Sequence, residues 1–432
     1  MTPVTKKLLP SLTLKTVYTD KFKTERISIT VEDKPHVRRT PMIRFVFSIL
    51  KRGCAEYPTK MALNRRLDEL YSSSVFPVMS RGGDSCRFGF ASEMLGNEYT
   101  ADGVNVFEET LDLLFKVFFE PLLDEKGNFL ENYIESEREN ICDSIRSVIN
   151  VPRTYAAKRL LEIMYEGDDY SIPSNGTVDI VNSITSGELI EAYRDIVENS
   201  SYEVFYIGAK SADEVGALVK KYFEKYSYGA PKKVEKSVDF SIDTQKVKRV
   251  KEEMRLSQGI LMMGFKTGVN ITCDKKFYSM LVFNEIFGGS PVSKLFMNVR
   301  ERMSLCYYCN SHYDYHKGFI YVSSGIEKSD RKKTENEIIK QFRNIQGGKI
   351  SDAEFESAKK SIINVYSETT DSASGIERFY STRAEYGVED TIEDAKRKIR
   401  EITLDDVIDV AQNIKLDTVY FLSGREENDD EE

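Results

Sequence analysis

The sequence predicts an α+β fold built twice over: two similar domains, each an antiparallel sheet backed by helices. Length is the first observation behind this, since 432 residues are too many for one hydrophobic core. The second is an order of elements that recurs in both halves: helix, alternating strand, amphipathic helix, then a helix rich in Glu or Lys. The third is the polar stretch YSYGAPKKVEKSVDFSIDTQKVKRV (226–250), whose Gly-Ala-Pro break suits a linker. These place an N-terminal domain at 1–228, a linker at 229–250, a C-terminal domain at 251–424 and an acidic tail at 425–432.

In the first half, LNRRLDELYSSS (63–74) reads as a helix and SCRFGFASEML (85–95) alternates as a strand does. VFEETLDLLFKVFFEPLL (106–123) is an amphipathic run, and a long helix begins near NFLENYIESERENICDSI (128–145). In the second half the same order runs through FYSMLVFNEIFGGSPVSKLFMNVRER (277–302), KGFIYVSSGIE (317–327), TENEIIKQFRNIQGG (334–348) and DAEFESAKKSIINVYSE (352–368). Further alternating strands fall at VFYIGA (204–209), GILMMGF (259–265) and VYFLSG (419–424), each with one covered face.

Composition narrows the function. Hydrophobic residues make up 41% and charged residues 30%, ordinary for a globular chain. A net charge of −9 argues against a nucleic-acid partner, which would meet a basic face. No apolar run approaches the ~20 residues that span a bilayer, and MTPVTKKLLPSLTL has no secretory core, so no membrane contact is expected. Six scattered cysteines suit a reducing cytoplasm better than a disulfide framework.

Residues 300–316, RERMSLCYYCNSHYDYH, hold two of the three histidines and four zinc-type side chains: Cys306, Cys309, His312 and His316. All four would have to come within ~2.0–2.3 Å of one ion. The following CNSHYDYHKGFIYVSSG is rich in aromatic and β-branched residues around a Lys-Gly break, which favours a hairpin. Residues four apart on a strand are ~13 Å apart, and cysteines separated by Tyr-Tyr point to opposite faces. The four therefore read as half-buried strand residues, with no metal.

The stretch just before them carries a resemblance. Gly288, Gly289 and Ser290, then Leu295 and Phe296, Arg300 and Glu301, and Leu305 with Tyr307 resemble the C-terminal half of the pitrilysin/insulinase family of zinc metallopeptidases. In that family a Gly-Gly-Ser-type turn precedes an Arg and a Tyr seven residues apart, which bind the substrate and steady the scissile carbonyl. The resemblance assigns those roles to Arg300 and Tyr307. PLLDEKGNFLENYIESEREN (121–140), MALNRRLDELYSSSVFPVMSRGG, read as a helix and an edge strand, and YSIPSNGTVDIVNSITSGELIEAYRDI (170–196) extend the likeness over nearly the whole chain. It implies the fold of insulinase and mitochondrial processing peptidase. YPTKMALNRRLDELY and RTYAAKRLLEIMYEGDDYSI are most similar to bacterial members linked with modification of elongation factor P.

Active members carry His-x-x-Glu-His on a helix, with zinc on the two histidines and a distant Glu, and water activated by the Glu between. Aligned on RFVFSILKRG, the first His is Arg44, the Glu is Phe47 and the second His is Ser48. Glu137 of ESERENICDS is kept, but the remote ligand position, seven residues on, holds Ser144. The motif occurs nowhere else in either order, and the remaining histidine, His36, stands alone. The resemblance thus implies a non-catalytic subunit with no cofactor of its own. It would form a heterodimer with an HxxEH-bearing insulinase-like chain, closing its chamber and offering Arg300 and Tyr307 to its peptide substrate. The alternative is a stand-alone peptide-binding or scaffold protein.

Overall fold

A computed structural model describes residues 2–101, 103–226 and 246–424. Most of the expected linker and all of the tail at 425–432 lie outside the described residues. Two compact units emerge, and neither is a contiguous half. Val148–Ser171 belongs with the second unit and Ser372–Tyr380 with the first.

The first unit is built on β1 (Val4–Leu9), β2 (Leu12–Tyr18), β3 (Thr24–Asp33), β4 (Ser74–Gly82), β5 (Ser85–Leu95) and β6 (Tyr202–Gly208), in the order β1-β2-β6-β3-β5-β4. The second has β7 (Lys248–Met254), β8 (Gly259–Lys266), β9 (Cys306–Asp314), β10 (Phe319–Ile326) and β11 (Lys415–Gly424), in the order β7-β11-β8-β10-β9. With β1 set aside, the two orders superpose strand for strand, and so do their directions. The expected antiparallel sheets are in fact mixed. β2 runs parallel to β6 and β7 parallel to β11, while the other neighbours are antiparallel. In each half the parallel pair joins the beginning to the end, with the three antiparallel strands and the helices of that half lying between them in sequence. Lys248–Val250, placed in the linker by sequence, already belong to β7.

The central strand of the first sheet shows why helices are lent. In β3, Ile27, Ile29 and Val31 join the main core, while Arg26, Ser28 and Thr30 on the other face are buried too. That polar face meets Glu377 of the borrowed segment. Its carboxylate accepts from Arg26 Nε at 2.5 Å and from the Ser28 hydroxyl. In the second unit the borrowed helix Pro152–Met164 sets Ala156 and Leu160 against Ile260, Met262, Tyr420 and Leu422. Edge strand β4 carries Pro77, tolerated at a sheet edge.

Candidate functional site

In the first unit Arg44, Phe47 and Ser48, the residues that the sequence aligned with the zinc motif, fall on the helix Arg39–Leu50. It is buried on nearly every side. His36 starts it: its Nδ1 accepts from the Arg38 and Arg39 amides, both at 3.2 Å. The lone histidine is therefore a capping group. Pro41, Arg44, Ser48 and Lys51 follow one face of this helix. With Glu137, Asn140 and Ser144 of the helix Glu131–Ser147, and with Met79, Ile141 and Asn175, they line a cavity of about 200 Å³. Three of the four sequence-assigned positions thus meet. Phe47 does not: it is fully buried, 5.5 Å from the rings of both Phe90 and Phe118.

This cavity does not fit zinc. Arg44 is half-buried, burial pushes its guanidinium below the usual arginine range, and no carboxylate or hydrogen-bond acceptor among the described residues offsets its charge. Ser48 and Ser144 offer hydroxyls where imidazole or carboxylate would bind. The kept Glu137 is engaged, with Lys51 at 3.1 Å and Arg52 at 2.9 Å. Arg52 also stacks over Tyr133, 4.5 Å from the ring centre. Lys51 was legible, because a spacing of i+3 from Ser48 and i+7 from Arg44 puts it on their face. Asn140 was legible in the same way, three residues after Glu137 and four before Ser144 on one helix, whereas Asn175 carried no such signal. Among the described residues no group of three or more His, Cys, Asp or Glu side chains is placed to hold a metal ion.

Arg300 and Tyr307 lie in the second unit. The helix Lys275–Asn284 runs on into two wide π-helical segments, Glu285–Gly289 and Leu295–Arg302, and a bulge at the start of β9 follows. Such wide turns recur at functional sites. Arg300 is 40% exposed, 3.5 Å from Glu301, with its guanidinium 4.6 Å from the Phe296 ring centre. Tyr307 is 58% exposed and donates its hydroxyl to Glu327 at 3.2 Å. Both are therefore accessible donors, each held by a different neighbour. The expected glycine turn is corrected: Gly288 and Gly289 close the first π segment, and neither has positive φ. Gly288 is needed for space, since a Cβ there would stand 2.6 Å from the Ser311 backbone nitrogen.

The cysteine–histidine stretch forms a hairpin of β9 and β10. Its side chains disperse. His312 is exposed beside Tyr321, and His316, in the turn, meets the Tyr386 hydroxyl through Nδ1 at 3.0 Å. The two cysteines depart from expectation. Gly325 pairs with Tyr308 and Ile326 with Cys306, so Tyr307 is an extra, unpaired residue. This bulge shifts Cys306 to the face of Cys309, and the two thiols are near enough to shift one another's ionisation.

With this geometry in place, comparison with known proteins is direct. Residues 183–362 match the family described as the Peptidase M16 inactive domain. Over 422 residues the chain is 32% identical to "Probable inactive metalloprotease YmfF" of Bacillus subtilis (strain 168), across 96% of each chain. The crystal structure of a conserved protein from Enterococcus faecalis V583 aligns with a TM-score of 0.90 at 26% identity, covering 99% of this chain and 100% of that one. A Pseudomonas fluorescens structure titled as a peptidase M16 inactive domain aligns at 0.77 with 14% identity, covering 99% of each. Fold and cavity together define an inactive metallopeptidase-like protein. The chain belongs to the M16 family, that of pitrilysin and insulinase. No helix among the described residues is long and apolar enough to cross a membrane.

Proposed function

We propose that this chain is the non-catalytic subunit of a two-chain zinc metallopeptidase, lending Arg300 and Tyr307 to a partner that carries HxxEH. The observation that carries the reading is a contrast. The positions aligned with the zinc ligands hold a cation and two hydroxyls, while Arg300 and Tyr307 have the residue types and spacing of the family's substrate-binding pair and are both open to solvent. In the assembled enzyme the partner's HxxEH residues would hold the zinc, which would supply the activated water. Arg300 donates N–H groups to a peptide carbonyl. The Tyr307 hydroxyl, now held by Glu327, turns to the oxygen on which negative charge develops. A cytoplasmic setting agrees with six free cysteines. The tie to elongation factor P rests on the two quoted stretches alone.

Co-purification tests the pairing. The chain is mixed with the HxxEH-bearing M16 protein of the same genome, and complex formation and peptide cleavage are measured together. A stable complex that cleaves peptides, from two chains that are slow or inert apart, is the expected outcome. Two chains that never associate, or a partner fully active without this one, would sink the proposal.

A further inference from the structure

Cys306 and Cys309 are brought together by a feature that serves no regular strand. Three residues apart on an unbroken strand, they would face opposite ways. The extra residue at Tyr307 turns both thiols to one side, opposite Ile326 and Ser324 of β10. Partners two apart on a strand are separated by roughly 6.6 Å, near the upper end of the Cα separations, about 6.8 Å, that a disulfide bridges. The two thiols are near enough to shift one another's ionisation, and Ser324, whose hydroxyl donates to the Tyr308 carbonyl at 3.0 Å, acts on both. Cys309 is 3% exposed, whereas Cys306 is partly open to solvent.

We propose that Cys306 and Cys309 are a reversible dithiol–disulfide pair, a peroxide-sensitive modification site built into the bulge that presents Tyr307. Cys306 is the attacking thiol and Cys309 the resolving one. The neighbouring Cys309 thiol holds Cys306 below the usual thiol range, against an opposite pull from burial, and Ser324 and Arg300 act with it. The Cys306 thiol, and burial after it, push Cys309 up. Elsewhere burial pushes the thiols of Cys54, Cys86 and Cys142 up, which makes them poor nucleophiles.

The chemistry balances with hydrogen peroxide as the oxidant. The Cys306 thiolate attacks one peroxide oxygen, the O–O bond breaks, sulfur is oxidised to sulfenic acid, and hydroxide leaves to be protonated to water. The Cys309 sulfur then attacks the Cys306 sulfur, the S–O bond breaks, and a second water leaves with the Cys309 proton. Two thiols and one peroxide become one disulfide and two waters. A dithiol reductant reverses it by exchange. Closing the bond draws in the two ends of the bulge and re-aims Tyr307. Only that last consequence rests on the proposed subunit role.

The test uses the full folded chain. It is exposed to sub-stoichiometric and then stoichiometric hydrogen peroxide, denatured, alkylated and digested with trypsin. Peptide 303–317 contains both cysteines and no others. The expected product is this peptide unalkylated and lighter by two hydrogens, recovered as the dithiol after treatment with a dithiol reductant. In Cys309→Ser, Cys306 should instead be captured as a sulfenic-acid adduct by dimedone. Both cysteines still alkylated after peroxide, oxidation at Cys273 first, or no dimedone adduct on Cys306 would overturn the proposal. Because the readout is the peptide itself, failure here leaves the two-chain reading untouched.

Discussion

At the scale of single residues, Arg44 and His316 each carry a charge problem that makes a prediction. Arg44 keeps a desolvated guanidinium without a counter-charge among the described residues, beside Ser48 in the cavity. Methionine keeps its stem and removes the charge, so Arg44→Met should raise stability by about 1 kcal/mol, read from the urea midpoint. A loss of similar size would mean that the guanidinium has a partner. His316 works through pH. Burial holds its imidazole below the usual histidine range, against a smaller opposite pull from Asp314. The folded state thus favours the neutral ring. Its contribution is complete above the unfolded value near 6.5 and is lost as pH falls from there through the lower folded value. Between about pH 7.5 and pH 5.5 the wild type should lose more stability than His316→Gln, compared by thermal melts at each pH. Parallel losses would place the imidazole in water. That Arg44 and Ser48 share a face was legible because helical spacing fixes it, whereas the placing of Ser144 beside them came from the resemblance alone. The capping by His36 was not, since it depends on a backbone turn that no periodicity records.

Among elements, those with an undisturbed period were read well. The strand at 85–95 and the Glu- and Lys-rich helix at 352–368 have the bounds that the sequence gave for them. Where the chain leaves regular geometry, pattern failed. The bulge at Tyr307 reversed the face assigned to Cys306, and the two π segments were taken for a helix and a turn. A single inserted residue costs nothing in composition, yet it flips every side chain beyond it. Gly288 tests how tightly this region is built. An alanine methyl would press on the backbone of β9 at Ser311, so Gly288→Ala should destabilise by about 1–3 kcal/mol. Equal denaturation midpoints for variant and wild type would show that the π segment can give way.

At the scale of the whole molecule, duplication was legible but exchange was not. Each half repeats one element order, and the two sheets share one strand order. That each unit borrows a helical segment from the other half could not be read, because a buried polar face on β3 looks in sequence like a solvated one. The Arg26–Glu377 pair holds the borrowed segment in the first unit, with both side chains nearly excluded from water. Glu377→Ala leaves Arg26 with only the more exposed Glu93, and should cost about 3 kcal/mol. Replacing both partners by leucine should cost less, and equal costs in chemical denaturation would show the pair to be unimportant. The central claim concerns what the chain gives to another protein. Its most direct test is peptide turnover by the assembled two-chain complex carrying Arg300→Ala or Tyr307→Phe, with assembly checked by size-exclusion chromatography. The complex should form as before, while turnover falls by ~10²–10³ for each variant, the usual cost of losing one donor to a developing oxyanion. Wild-type turnover from an intact variant complex would contradict the claim and leave Arg300 and Tyr307 as surface residues of a scaffold.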